Sequence, residues 1–156
     1  PEHPYKFPPS QLTSKHPRVT RAIFMINAAR GTPDIAMKVA HYCTAFETLF
    51  ATTQTELAHQ LSERIACYLH SEPSDRLTTY RKMKQAYALR SKVVHGATVK
   101  ADKLDDAIST AKFCDETARS IFRNILMIPA DMELFEQKAE SFDDAMLRMI
   151  FGGNGN

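Results

Sequence analysis

The sequence predicts an all-α fold, a bundle of five to six helices with an up-down four-helix core. Apolar residues recur at three- and four-residue intervals over most of the chain, the spacing that gives a helix one buried face. No stretch of any length alternates apolar and polar residues in the two-residue period of a half-buried strand. With 156 residues, 44% of them hydrophobic, the chain can bury one core, whereas two domains would be cramped.

Residues 1–17 hold five of the eight prolines together with Tyr5 and Phe7. They are expected to form an extended arm or linker with no helix of its own. The chain starts at Pro1 and not at Met, which we read as the start of a module from a longer protein with other domains. Residues 18–151 then make one helical domain, and 152–156 a flexible tail.

The first helix is expected over 18–30, with Val19, Ile23, Met25 and Ile26 inward and Gly31 as its stop. Thr32 should cap the second helix, with Pro33 in its first position and Asp34 in its first turn. Over 33–51, Ile35, Val39, Cys43, Phe46 and Phe50 keep core spacing. Glu47 is the exception, falling between Cys43 and Phe50 on nearly the same face. A carboxylate buried there needs a basic partner, unless the position is a partly exposed edge. Thr53-Gln54-Thr55-Glu56 has capping-box spacing, and Leu57, Leu61, Ile65, Tyr68 and Leu69 should be buried by the helix that follows. A turn over 71–75 leads into a long basic helix carrying Leu77, Tyr80, Met83, Tyr87 and Val94, with Gly96 as a left-handed residue beyond its end. The fifth helix, over 102–127, presents Leu104, Ile108, Ala111, Phe113, Ala118, Ile121, Phe122 and Ile125 until Ile128-Pro129-Ala130 interrupts it. A final helix starting at Asp131 or Ser141 and ending at Phe151 adds Phe135, Phe142, Met146, Leu147 and Ile150 to the core.

No run approaches 18 apolar residues and no charged-then-apolar leader is present, so neither a membrane span nor a secretory signal is expected, and a cytoplasmic location follows. Cys43, Cys67 and Cys114 lie in apolar stripes and read as reduced core thiols. Cys67 and His70 have ligand-type spacing, but no second pair completes a zinc site. With no phosphate loop, dinucleotide fingerprint or nucleophile elbow, no cofactor or metal is expected. The net charge of +2 conceals an asymmetry. Residues 76–100 contain no Asp or Glu but include Arg76, Arg81, Lys82, Lys84, Arg90, Lys92 and Lys100. Such a helix is either a solvated face or a contact for a phosphate backbone. In the second case Arg81, Lys82, Lys84 and Lys92 are the candidate phosphate-contacting residues.

The chemistry concentrates in Tyr87-Ala88-Leu89-Arg90-Ser91-Lys92-Val93-Val94-His95-Gly96. At about 100° per residue, Ser91 and His95 share one face a turn apart with Arg90 beside them. An Arg and a His five positions apart are weak as a pattern, because basic residues at a helix end also complement its dipole. The longer phrase resembles the Y-x-x-R-S/N-x-x-x-H-G signature of the HEPN superfamily (higher eukaryotes and prokaryotes nucleotide-binding), in particular its Apea-like branch. Ala45-Phe46-Glu47-Thr48-Leu49-Phe50 is similar to that branch's A-L-E-x-L-F/L helix, and Leu61 to Ala66 with Leu69 resembles the helix between. The resemblance spans about 19–96.

The resemblance implies a HEPN-like bundle and a metal-independent endoribonuclease, an effector in a toxin or antiviral defence system. RNA brings its own nucleophile, the 2′-hydroxyl, so the protein needs only proton transfer and a cation for the phosphorane oxygens. His95 suits the first task as general acid/base, because imidazole changes charge near neutral pH. Arg90 suits the second through its fixed charge and forked donors. Ser91 would orient His95 or touch phosphate. Glu47 would hold Arg90 or another basic side chain, and Tyr87 would either stack on a base or pack in the core. One chain offers a single His and a single motif Arg, so a homodimer pairing two motifs across a twofold axis is expected, as in related HEPN domains. In HEPN proteins paired with nucleotidyltransferases the motif extends to a Tyr that is the modification target, but Ala97 stands there in this chain. The reading from another class is a non-catalytic HEPN module that binds RNA or nucleotide or serves dimerisation of a larger protein.

Overall fold

The computed structural model describes residues 16–53 and 55–152. Among them it is all-helical, with no strand and seven α-helices: α1 (Pro17–Gly31), α2 (Ile35–Phe50), α3 (Leu57–Leu69), α4 (Pro73–Val94), α5 (Leu104–Met127), α6 (Pro129–Phe135) and α7 (Ala139–Phe151). The fold class is as expected and the helix number is one higher. Pro129 starts α6 as a separate short helix, and a break over 136–138 divides it from α7. The arm expected over 1–17 lies outside the described residues as far as 15, and Pro17 already opens α1. Of the expected tail only Gly152 is described.

α2 is the central helix. It packs against α1, α3, α4 and α5, and Val39, Cys43, Phe46, Leu49 and Phe50 lose all contact with solvent. Each such side chain contributes about 1.5–3 kcal/mol on leaving water, so this one element organises the rest. At its C-terminal end Phe50 meets Phe135 edge to face at 5.1 Å between ring centroids and Tyr68 at 5.7 Å. The Tyr68 hydroxyl donates to Asp131 at 2.6 Å, which fastens α6 to α3. Cys43 and Cys114 are buried thiols, whereas Cys67 is only half-buried.

Several local expectations are corrected by the backbone. Gly31 is the last residue of α1 and not a left-handed stop; Thr32 follows in extended conformation and its hydroxyl donates back to the Ala28 carbonyl at 2.7 Å. The N-cap of α2 is therefore Asp34, whose carboxylate accepts from the Met37 amide at 2.8 Å. The capping box over 53–56 does not form. Glu56 adopts φ 49° and caps α3 through its backbone alone, its carbonyl accepting from the His59 and Gln60 amides. α4 buries Met83 and Tyr87, but Leu77 and Val94 are 48% and 62% exposed, so the apolar spacing does not hold at its two ends. Leu104 and Leu147 are likewise exposed.

Candidate functional site

The candidate site lies at the end of α4. Pro73 occupies the first turn with Asp75 beside it, a combination suited to a helix start because proline has no amide to satisfy and an acid complements the dipole. Twenty-two residues later the helix stops in a Schellman arrangement. The Gly96 amide donates to the Val93 carbonyl at 2.9 Å and the Ala97 amide to the Lys92 carbonyl at 3.0 Å, with Gly96 at φ +85°. That backbone conformation requires glycine, and it fixes His95 as the C-cap.

Arg90 and Glu47, 43 positions apart, meet between α4 and α2. Arg90 Nη2 is 3.1 Å from Glu47 Oε2 and 2.9 Å from Oε1, with the two side chains 28% and 18% exposed. Only the Oε2 contact has hydrogen-bond geometry. Oε1 is buried without a hydrogen-bond donor of its own, so the 2.9 Å approach is an ion contact. Arg90 Nε is also buried and donates to no described residue. A buried donor left unmade costs about 1–3 kcal/mol. Arg90 thus engages Glu47 through one nitrogen and not through a two-pronged fork.

Burial raises the Glu47 carboxyl above its ordinary value, opposed by the Arg90 charge and by the Tyr87 hydroxyl. Tyr87 is buried, its hydroxyl donates to the Cys43 carbonyl at 3.1 Å, and burial pushes that phenol upward. The Arg90 guanidinium carbon lies 5.9 Å from the centre of the Tyr87 ring. Packing is therefore the role of Tyr87, and base stacking is excluded by its burial.

The structure brings Arg90, Glu47 and Tyr87 together and leaves Ser91 and His95 on the solvent side of α4. The Ser91 carbonyl accepts from the His95 amide at 3.3 Å. Among the described residues no hydrogen bond or ion pair joins either side chain to Arg90. Arg81, Lys82, Lys84 and Lys92 are all exposed, and the Lys82 ammonium rests 5.4 Å from the centre of the Phe113 ring. No group of three or more His, Cys, Asp or Glu among the described residues is placed to hold a metal ion. His70 instead bonds Thr79 at 2.9 Å, and His59 bonds Tyr80 at 2.9 Å. No helix among these residues is long and apolar enough to cross a membrane.

No family model, curated protein or solved structure matches this chain.

Two polar clusters escaped the sequence. Arg64 is 5% exposed and donates to the Phe50 carbonyl at 2.6 Å, to Thr52 at 3.1 Å, and to Asp143. Its position three residues after Leu61 and next to Ile65 was the available signal. Asp115 accepts from the Tyr42 hydroxyl at 2.6 Å, from Arg30 Nε at 3.0 Å and from Arg119 Nε at 2.6 Å, and these bonds hold its carboxyl down to about 2 against the opposing effect of burial. Arg119, one turn on from Asp115, was legible; Tyr42 and Arg30 were not.

Proposed function

We propose that this domain is a metal-independent endoribonuclease of HEPN type, in which His95 moves the proton and Arg90 stabilises the phosphorane. The observation that carries the reading is the state of Arg90. It is held by Glu47 through one nitrogen, Nη2, five residues before a C-cap whose imidazole is exposed. A guanidinium so held is oriented and keeps Nη1, which bonds no described residue, for a phosphate oxygen, while the buried Nε stays inside. The His95 imidazole, which bonds no described residue and is exposed, is accessible as general acid/base to the 2′-hydroxyl or the leaving 5′-oxygen. Ser91, a turn before His95, serves phosphate or the His95 ring. Glu47 and Tyr87 position Arg90.

The working unit in this reading is a homodimer. Within one chain Arg90 is turned toward α2 and His95 toward solvent, so a twofold axis that juxtaposes two α4 ends supplies each phosphate with both groups. The protein is then a cytoplasmic effector in a toxin or antiviral defence system.

A second reading is favoured by the same ion pair. Arg90 is already matched by Glu47, so the helix end serves equally as a non-catalytic module that binds RNA or nucleotide or mediates dimerisation. End-group analysis separates the two. Cleavage by 2′-hydroxyl attack leaves a 2′,3′-cyclic phosphate or its 3′-phosphate product and proceeds in excess chelator. A 3′-hydroxyl end, or no cleavage at all, rejects the proposal.

A further inference from the structure

The open edge of the seam between α4 and α5 carries polar side chains beside apolar ones such as Leu89, Val93 and Ala107. Thr79, Lys82 and Gln85 on α4 face Thr110, Phe113, Thr117 and Ser120 on α5, each set at the three- and four-residue spacing of a single helix face. The seam opens as three clefts of about 770, 250 and 430 Å³. The first and second share Gln85, Ser109 and Thr110, and the second and third share Lys82, Phe113 and Glu116. They lie in a row along the seam as one groove, crossed by the Lys82 ammonium over the Phe113 ring where the second meets the third. Its lining carries six cations, Lys82, Lys92, Lys100, Lys103, Lys112 and Arg123, against the three carboxylates Asp102, Asp106 and Glu116. Asp106 is paired with Lys103 at 3.5 Å.

We propose that this groove holds a single RNA strand and leads it to the end of α4. Spaced lysines suit successive phosphates, and the half-buried Phe113 ring offers a stacking face once Lys82 swings from it to a phosphate. From Lys103 to Arg123 the helix runs about 30 Å, room for several nucleotides of an extended strand. Lys92, Val93, Ala97 and Thr98 line the widest cleft, so the strand reaches the end of α4, where His95 is the C-cap. A duplex presents its bases stacked inward and cannot use Phe113, so the groove discriminates by strandedness. The choice of RNA as the strand rests on the ribonuclease reading; the groove itself does not.

The test is fluorescence anisotropy of the 156-residue chain bearing His95→Ala, so that the labelled RNA stays intact, with an unstructured strand and a duplex of equal length across a range of salt. Lys82→Gln with Lys112→Gln should weaken strand binding by about tenfold or more and lower the salt slope by about 0.7 per lysine. Arg21→Gln with Lys138→Gln, which removes the same charge away from the groove, should change binding by about twofold or less. Phe113→Leu should lose about fivefold with the salt slope unchanged. Equal effects of the two charge pairs overturn the proposal, as does duplex or polyglutamate binding as tight as the strand. Should Phe113→Leu unfold, the lysine comparison decides alone. Strand binding through the groove with no cleavage by the unsubstituted chain removes the ribonuclease reading and leaves the groove; cleavage with the groove variants unaffected does the reverse.

Discussion

Arg90 reaches from α4 to Glu47 on α2 and sets one nitrogen against both carboxylate oxygens, at 2.9 and 3.1 Å. The pair connects the central helix to the end of the basic one.

Removing one partner therefore strands the other in a half-buried place. Glu47→Gln and Arg90→Met should each lower stability by about 1–2 kcal/mol, less than a fully buried pair would. In urea unfolding at neutral pH the double variant should fall short of the sum by about 1 kcal/mol. Strict additivity would show that the two charges do not interact.

Gly96→Ala should cost about 1–2 kcal/mol, because φ +85° is strained for any residue with a Cβ. Nothing lies within 4 Å of the added atom, so the cost is conformational and not steric. Amide exchange should speed up at Gly96 and Ala97, whose bonds close the helix. Unchanged exchange and an unchanged urea midpoint would contradict the role given to this end.

Acid stability should depend on Asp115. Its folded carboxyl is held down to about 2 from a usual 3.8, so it contributes stability that is present above the unfolded value and lost as pH falls from about 4 to 2. Glu47 acts in the opposite sense, since burial raises it and favours the folded state at lower pH. Asp115→Asn should flatten the loss of melting temperature across that acid window. A variant as acid-sensitive as the parent would reject the assignment.

Light scattering should report a dimer at assay concentration, and mixed dimers of unsubstituted and His95→Ala subunits should lose activity together. A monomer with full specific activity would remove the twofold arrangement.

The sequence made some of this legible, and the physical reason differs by element. α2 was readable because Val39, Cys43, Phe46 and Phe50, which keep apolar spacing, are all fully buried, so spacing and burial coincide. The end of α4 was readable because a left-handed C′ residue and glycine are tied by sterics; Gly31 carried the same letter, but α1 runs through it. The capping box over 53–56 failed because Glu56 turns left-handed, a choice made by how the loop joins α2 to α3. Leu77 and Val94 failed because they lie beyond the part of α4 that packs, whose buried residues run from Thr79 to Tyr87. Glu47 could be marked as a carboxylate in need of a partner, but Arg90, 43 residues away, becomes that partner only when α4 docks on α2.

Cleavage of bulk RNA in excess chelator by the His95→Ala chain is the most direct test. The His95 side chain is exposed and bonded to no described residue, so its removal should leave the melting temperature unchanged and the fold intact. The rate should fall by about a hundredfold or more, the usual loss of a general acid/base, and Arg90→Ala should fall at least as far. Cleavage by His95→Ala at the unsubstituted rate would contradict the account.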